Sequence, residues 1–364
     1  MRDLKAKRVV VKVGTNTLCK GDGTVDVEYI EGLADQVIEM EKLGIQTIIV
    51  TSGAIGSGSA ELGLDGINKD VAMKQACAAV GQGILMMAYR DIFKMYGKSV
   101  GQVLLTYGAF SDRVRYLNLK KAIEQMFDLG VVPIVNENDV IATDEIEDIF
   151  GDNDKLSALV ASKIDADLLI ILTDVDGLYD RNPLTDENAK LLHVVDEITP
   201  EIERMAGGRK NERSTGGMRT KINAAKIAMA SGCNMVIANG AIDNVIIRIV
   251  KGEEIGTLFT AKKVYTNKQR WILFASPKGR IDLDEGAQKA VREGRSLLAC
   301  GVTSIDGKFK AGEVVRIGSF AKGISKYSAE EMAELVERCR SERGALSKSN
   351  GNVVVENVDI MFTD

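Results

Sequence analysis

Residues 167–173 read DLLIILT, with five aliphatic side chains in a row between Asp167 and Thr173. Side chains alternate across a strand, so a strand that is apolar at every position needs cover on both faces. That pattern belongs to a parallel sheet sandwiched between helices. Gln46–Thr51 (QTIIVT), Val131–Val135 and Met235–Ala238 repeat it, and Val9–Val13 (VVVKV) repeats it with one exception, Lys12. Val100–Thr106 is a further strand. Helical patterns separate these runs. In Val27–Leu43, Ile30, Leu33, Ala34, Val37 and Ile38 fall on one helical face, and Gly44 supplies a stop. Lys69–Tyr96 reads as a long helix with an interruption expected at Gly81 or Gly83. Arg113–Leu129, Leu156–Ile164 and Arg219–Ala230 complete the alternation. The expected fold class is α/β, a mostly parallel sheet covered by helices on both faces, with right-handed crossovers. Near 261–270 the chain turns polar and basic. After Pro277, short strand-like pieces surround a helix around Gly286–Glu293. We therefore expect a domain over 1–262 and a second, small and β-rich, over 278–358.

Composition narrows the function. With 364 residues, 45% of them apolar and 27% charged, the chain can bury a large core, which excludes a disordered or fibrous protein. The net charge of −5 gives no electrostatic case for a whole-chain nucleic-acid binder. There is one histidine, His193, so multi-histidine metal sites are excluded and a Ser-His-Asp device would depend on that residue. Five scattered cysteines without a CxxC favour reduced thiols. The apolar run Val9–Val11 is cut by Lys12, well short of the ~7–15 residues of a secretory core. No stretch approaches the ~18 apolar residues of a membrane helix. A soluble, cytoplasmic protein without membrane contact is expected.

In open α/β sheets, ligands bind beyond the carboxyl ends of the strands. Those ends are Gly14-Thr15, Thr51-Ser52-Gly53, Thr106, Asn136-Glu137-Asn138-Asp139, Thr173-Asp174 and Asn239-Gly240. Five of the six are rich in Gly, Ser, Thr, Asn or Asp, which points to a polar site along one sheet edge. Familiar phosphate motifs fail. Gly97-Lys98-Ser99 looks like the end of a P-loop, but Ile92 stands where its first glycine belongs, and the segment reads as a turn. Gly56-Ser57-Gly58 starts a dinucleotide fingerprint, but Glu61 stands at the third glycine position. Lys12 has two readings, a solvent-facing residue of an edge strand or a cation at a strand end reaching a phosphate past Gly14. Ser52 is either an N-cap or part of an anion-holding turn. NEND (136–139) and GDND (151–154) suit an ammonium, a lysine or Mg²⁺, and each alone is also an ordinary turn. Ser214–Lys221 (STGGMRTK) leads into a helix and suits either a phosphate cradle or a capped loop.

VVVKVGTNTL, VTSGAIGSG, PIVNENDV, GDNDKLSALVA, LTDVDGLYDRNP and STGGMRTK occur in the order seen in the amino acid kinase family, which this chain resembles over essentially its whole length. The part from about residue 278 resembles a PUA domain. The resemblance implies transfer of the ATP γ-phosphoryl group to the side-chain carboxylate of L-glutamate, with Mg²⁺, at the first step of proline biosynthesis. It further implies inhibition by L-proline, a homo-oligomer, and contact with glutamyl phosphate reductase. It gives Lys12, Lys221 and Asp154 as catalytic, the aspartate holding the lysines. ATP falls to Lys12, Thr173, Asp174 and Thr215, Gly216, Gly217, Met218, Arg219, Thr220 and Lys221. Glutamate falls to Ser52, Asp139 and Asn153, with Asn138 a weaker candidate. No protein-held metal is implied. A carboxylate acceptor is already ionised, so the scarcity of histidine is no obstacle; alignment and charge cancellation must do the chemistry. Aspartate and acetylglutamate kinases, uridylate kinases and an RNA-binding protein are the competing readings. The tail carries +4 over residues 278–326 and −4 over 327–364, so it offers no strongly basic RNA face.

Overall fold

A computed structural model describes residues 1–64, 70–142, 153–183, 185–206, 217–261, 265–341 and 353–363. The chain divides into two compact units, Met1–Val264 and Tyr265–Asp364. In chain order the first holds β1 (Arg8–Val13), α1 (Thr15–Leu18), α2 (Val27–Lys42), β2 (Gln46–Val50), α3 (Ala54–Glu61), α4 (Val71–Met95), β3 (Ser99–Leu105), α5 (Gly108–Ser111) and α6 (Arg113–Asp128). It continues with β4 (Val131–Glu137), α7 (Asn153–Lys163), β5 (Leu168–Thr173), β6 (Val194–Val195), α8 (Pro200–Met205), α9 (Met218–Ala230), β7 (Asn234–Asn239), α10 (Val245–Val250) and β8 (Thr257–Phe259).

Eight strands form one sheet in the order β3-β4-β2-β1-β5-β7-β8-β6. Every neighbouring pair is parallel except β7 and β8. The aliphatic runs explain the order. β5 is buried at all six positions, and β1 from Val9 to Val13. Such strands sit at the centre, where helices cover both faces. Strand β1 lies between β2 and β5, so Lys12 is not on an edge, and that reading of it is excluded. The chain builds outward from β1 on one side through β2, then returns to its other side with β5. That reversal opens a crevice beyond the carboxyl end of β1.

Helix α4 runs unbroken through Gly81 and Gly83, contrary to the expected interruption. The reason for one glycine is close approach. A Cβ on Gly81 would fall 1.8 Å from the Ala54 carbonyl oxygen, and one on Gly58 1.8 Å from that of Cys77. The backbones of α3 and α4 therefore touch at this crossing. Composition also corrects the expectation that nothing reaches membrane-helix length. Val71–Met95 is long and apolar enough by length and composition, and here it packs against α2, α3 and β3.

The second unit contains α11 (Asn267–Phe274), β9 (Gly279–Leu283), α12 (Glu285–Arg292), β10 (Leu297–Leu298), β11 (Val302–Gly307), β12 (Val314–Ile317), β13 (Ala321–Ile324), α13 (Ala329–Ser341), β14 (Val353–Val355) and β15 (Ile360–Phe362). Five strands form a sheet in the order β11-β9-β12-β13-β15, and β10 pairs with β14. Ile281, Val315, Ile317, Phe320, Met332 and Val336 lie in its own core. Helix α13 was not foreseen from the sequence, although Met332, Val336 and Cys339 mark its buried stripe.

The glycine contacts make a stability contrast. Gly81→Ala should cost ~1–3 kcal/mol or more by overpacking against backbone that cannot step aside. Gly83 has open space around its would-be Cβ, so Gly83→Ala should stabilise the same helix by ~0.5–1 kcal/mol. Urea unfolding of both variants checks this; equal effects would contradict the close crossing.

Candidate functional site

Lys12 is the fifth residue of β1, and its side chain passes to the first turn of α7. Its Nζ lies 2.8 Å from Asp154 Oδ1. Lys221, in the first turn of α9, brings its Nζ to 3.1 Å from the other oxygen, Oδ2. The Thr220 hydroxyl donates to Oδ2 at 2.8 Å. All three ionic groups are buried, Lys12 at 8% exposure, Lys221 at 4% and Asp154 at 1%. Burial alone would raise the Asp154 carboxyl, but the two ammonium groups outweigh it and hold the group far below the usual carboxylate range. Helix polarity adds to the logic. A carboxylate suits the positive end of α7, whereas a lysine in the first turn of α9 sits at the unfavourable end and needs a counter-ion. Lys12 and Lys221 thus share Asp154, and Lys221 also acts electrostatically on Asp174.

Gly14 follows β1 directly. A Cβ there would lie 3.6 Å from Lys12 Nζ, so any larger side chain would be laid over the ammonium. Its N–H donates to the Leu172 carbonyl, tying the turn to the end of β5.

The neighbouring residue on α7, Asn153, belongs to a second, uncharged network. Its Nδ2 donates to the Thr51 carbonyl at 2.7 Å and to Asn136 Oδ1 at 2.9 Å, and lies 3.1 Å from Ser52 Oγ. Asn136 Nδ2 in turn donates to Gln82 Oε1 of α4 at 2.8 Å. Thr51 is held from below by Tyr89, whose hydroxyl lies 3.0 Å from Thr51 Oγ1. Ser52 is not the N-cap of α3. That place is taken by Gly53, at φ +91°, where a Cβ would meet Cys19 Sγ at 2.7 Å. The left-handed turn favours glycine, and it leaves the first turn of α3 without a side-chain cap.

Asp139 follows β4 and is buried without an ion pair among the described residues. Burial pushes its carboxyl up to about 6. Asn138 works through its backbone, its N–H donating to the Leu105 carbonyl and its C=O accepting from Ala142.

Beyond β5, Asp174 accepts from Asn16 Nδ2 at 3.3 Å and from Thr173 Oγ1 at 3.1 Å. Partial burial works against ionisation, but these bonds and Lys221 leave the carboxyl below its ordinary value. The loop after it is fastened at two points. Asn239 Nδ2 donates to Asp176 at 2.9 Å, and Thr257 Oγ1 accepts from the Leu178 N–H at 2.8 Å.

The structure thus links Lys12, Asp154, Lys221 and Thr220 in one cluster and Ser52 and Asn153 in another, adjoining it through α7. Thr173 and Asp174 form a third group, reached electrostatically by Lys221. Gly217 is the N-cap of α9; Met218 is half-buried and Arg219 exposed. Thr215 and Gly216 lie outside the described residues, as do Gly151 and Asp152. Sequence reasoning missed Asn16 and Gln82. The signal for Gln82 was a lone amide in the apolar run ACAAVGQGILMMAY (76–89), seven residues before Tyr89 and so on the same helical face.

The model of the amino acid kinase family matches residues 7–239, and the PUA domain model residues 279–343. The chain is 47% identical over 369 residues to a glutamate 5-kinase of Methanosarcina barkeri, covering 97% of this chain and 96% of that one. It is 49% identical over 370 residues to a glutamate 5-kinase of Methanosarcina mazei, with the same coverage. A glutamate 5-kinase of Caldanaerobacter subterraneus is 46% identical over 342 residues, 92% of this chain and 91% of its own.

The cluster makes a stability prediction. Asp154→Asn leaves two buried ammonium groups without their counter-ion and should cost ~3–5 kcal/mol. Because the folded carboxyl titrates below its unfolded value of 3.8, its contribution is complete above about pH 4 and is lost as the pH falls through the folded value. The gap between wild type and Asp154→Asn in urea unfolding should therefore be full at pH 7 and shrink in strong acid. A variant as stable as wild type at pH 7 would contradict the buried pairing.

Proposed function

This chain belongs to the amino acid kinase family, and from that premise we propose how its residues carry out phosphoryl transfer to an amino-acid carboxylate. It is an ATP-dependent kinase that phosphorylates the side-chain carboxylate of L-glutamate, giving L-glutamyl 5-phosphate and ADP in proline biosynthesis. The observation that carries the residue assignment is the pair of buried lysines on one aspartate.

Both reactants are anions, so the barrier is dominated by bringing negative charges together. Lys12 and Lys221 offset that repulsion and bear on the oxygens of the phosphoryl group in flight. Asp154 fixes both ammonium groups in place for the phosphates. The acceptor carboxylate needs no general base, in keeping with a site built from lysines, amides and carboxylates. Thr173, Asp174 and the segment Thr215, Gly216, Gly217, Met218, Arg219, Thr220 and Lys221 hold the nucleotide. The fastened loop after Asp174 and the amino end of α9 support that role.

Mg²⁺ fits as an ion carried by the nucleotide. Among the described residues no cluster of three or more carboxylate, histidine or cysteine side chains forms a metal cage, and Mg²⁺ on a nucleotide keeps mostly phosphate and water ligands. When bound, it neutralises phosphate charge; Asp174 is the carboxylate nearest in kind to a contact for its hydration shell.

Glutamate is held by Ser52, Asn153 and Asp139. Asn153 Oδ1 is buried without a partner among the described residues, an acceptor suited to an ammonium hydrogen. Asp139, a buried carboxylate without a cation partner among the described residues, takes the α-ammonium, which would restore its ionised form. Ser52 donates to a substrate oxygen. Proline shares the α-carboxylate and the ammonium of glutamate and fits the same grip, which supports feedback inhibition that weakens as glutamate rises. Self-association, hand-over of the labile acyl phosphate to glutamyl phosphate reductase, and a cytoplasmic location complete the proposal.

The direct test is an ATP-dependent assay over a panel of amino acids, with hydroxylamine trapping the acyl phosphate. Glutamate alone should yield hydroxamate, and an equal yield from aspartate would contradict the specificity. Lys12→Ala and Lys221→Ala should each lower kcat ~10²–10³-fold. A pH series tests Asp139. With the free carboxyl near pH 6 and the bound one pulled lower, the glutamate KM should rise roughly tenfold from pH 7 to pH 5 while the ATP KM changes little. Asp139→Asn should flatten that profile; an unchanged slope would remove Asp139 from the grip.

A further inference from the structure

Three side-chain amides stand in series between α7, β4 and α4: Asn153, Asn136 and Gln82. An amide can be turned end for end, exchanging donor and acceptor, so the polarity of such a series needs an external anchor. Here the anchor is a backbone carbonyl. Thr51 O accepts only, so the Asn153 atom 2.7 Å from it must be Nδ2. That NH₂ then meets Asn136 at 2.9 Å and requires an oxygen there; the Glu137 N–H, 2.9 Å from the same atom, requires it too. Asn136 therefore presents its own NH₂ to Gln82, which must answer with Oε1 at 2.8 Å. One carbonyl and one backbone N–H leave the three amides a single consistent orientation. The consequence lies at the Asn153 end, where Oδ1 is left as a buried acceptor without a partner among the described residues.

We propose that Gln82 is a positioning residue for substrate: by accepting from Asn136 it keeps the amide series in one polarity and so holds Asn153 Oδ1 ready for the ammonium of the amino-acid substrate. This rests on the reading of Asn153 as part of the glutamate grip. Asn136 is buried, so without an acceptor at Gln82 its NH₂ is an unpaired buried donor. It regains a partner only by rotating, which breaks its bond to Asn153 and lets that amide turn. Helix α4 is a rigid base for such a part. Its backbone touches α3 at Gly81, the residue before Gln82, and one helical face carries both Gln82 and the Tyr89 that holds Thr51.

Two variants of Gln82 in the full-length enzyme test this. Gln82→Met keeps the length and removes the acceptor; Gln82→Glu keeps the acceptor. Gln82 Nε2 is buried without a hydrogen-bond partner among the described residues, so burial favours the neutral form of a glutamate there, whose carbonyl oxygen still accepts from Asn136. Gln82→Met should raise the glutamate KM roughly tenfold, as expected for one lost hydrogen bond that must be unmade elsewhere, with the ATP KM and thermal midpoint close to wild type. Gln82→Glu should return the glutamate KM to within about twofold of wild type. An unchanged glutamate KM in Gln82→Met would overturn the proposal. So would parallel rises in both KM values with a lowered midpoint, or a glutamate variant as impaired as the methionine one. Wild-type turnover measured alongside keeps the parent reading separate: wild type inactive with glutamate would defeat the substrate assignment itself.

Discussion

One buried carboxylate bound to two buried ammonium groups is the constraint on which the rest of this molecule depends. Burying charges is expensive, and an ion pair in a protein interior often does no better for stability than well-packed apolar groups. In the proposed role the cluster is an anion-attracting site kept ready in the fold, with Asp154 limiting the repulsion between Lys12 and Lys221. The sheet order follows from that need. Lys12 must come from the middle of the sheet to be enclosed, and β1 is placed there by aliphatic neighbours on both sides. Helices α7 and α9 pack together so that the first turn of each reaches the same point.

Adjacent residues on α7 divide the work. Asp154 faces the charged network and Asn153 the amide network, so one helical turn joins the part proposed for the phosphates to the part proposed for glutamate. The two networks are supported from different places. The lysines depend on β1 and α9, whereas the amides lean on β2, β4 and α4. A defect in one therefore has a distinct kinetic signature from a defect in the other, which is what makes the assignment open to experiment.

Much of this was legible in the residues. Apolar runs such as DLLIILT require cover on both faces, and that alone implies a parallel sheet with helices on each side. The polar strand ends marked the edge where the proposed site lies, and the order of the motifs brought Lys12, Asp154 and Lys221 together by resemblance. What the sequence hid were distances that depend on packing. Gly81 looks like a helix breaker until its neighbour is known to be a backbone carbonyl. Ser52 looks like a cap until Gly53 takes that place with a left-handed turn. Gln82 and Asn16 lie far along the chain from the residues they hold, and nothing local announces their partners. In the second unit, α13 carries its apolar residues sparsely among charges, so its stripe is visible only once the strands it covers are in place.

In the proposed mechanism Lys12 and Asp154 act as one device, the aspartate serving to hold the lysine for the phosphates. A double-mutant cycle in kcat tests this most directly, comparing Lys12→Ala, Asp154→Asn and the combined variant in the glutamate- and ATP-dependent reaction. If the residues act as a unit, the double variant should lose little more than the worse single variant, because the second change removes a partner already without a purpose. Losses that multiply, with each residue contributing independently, would contradict the account.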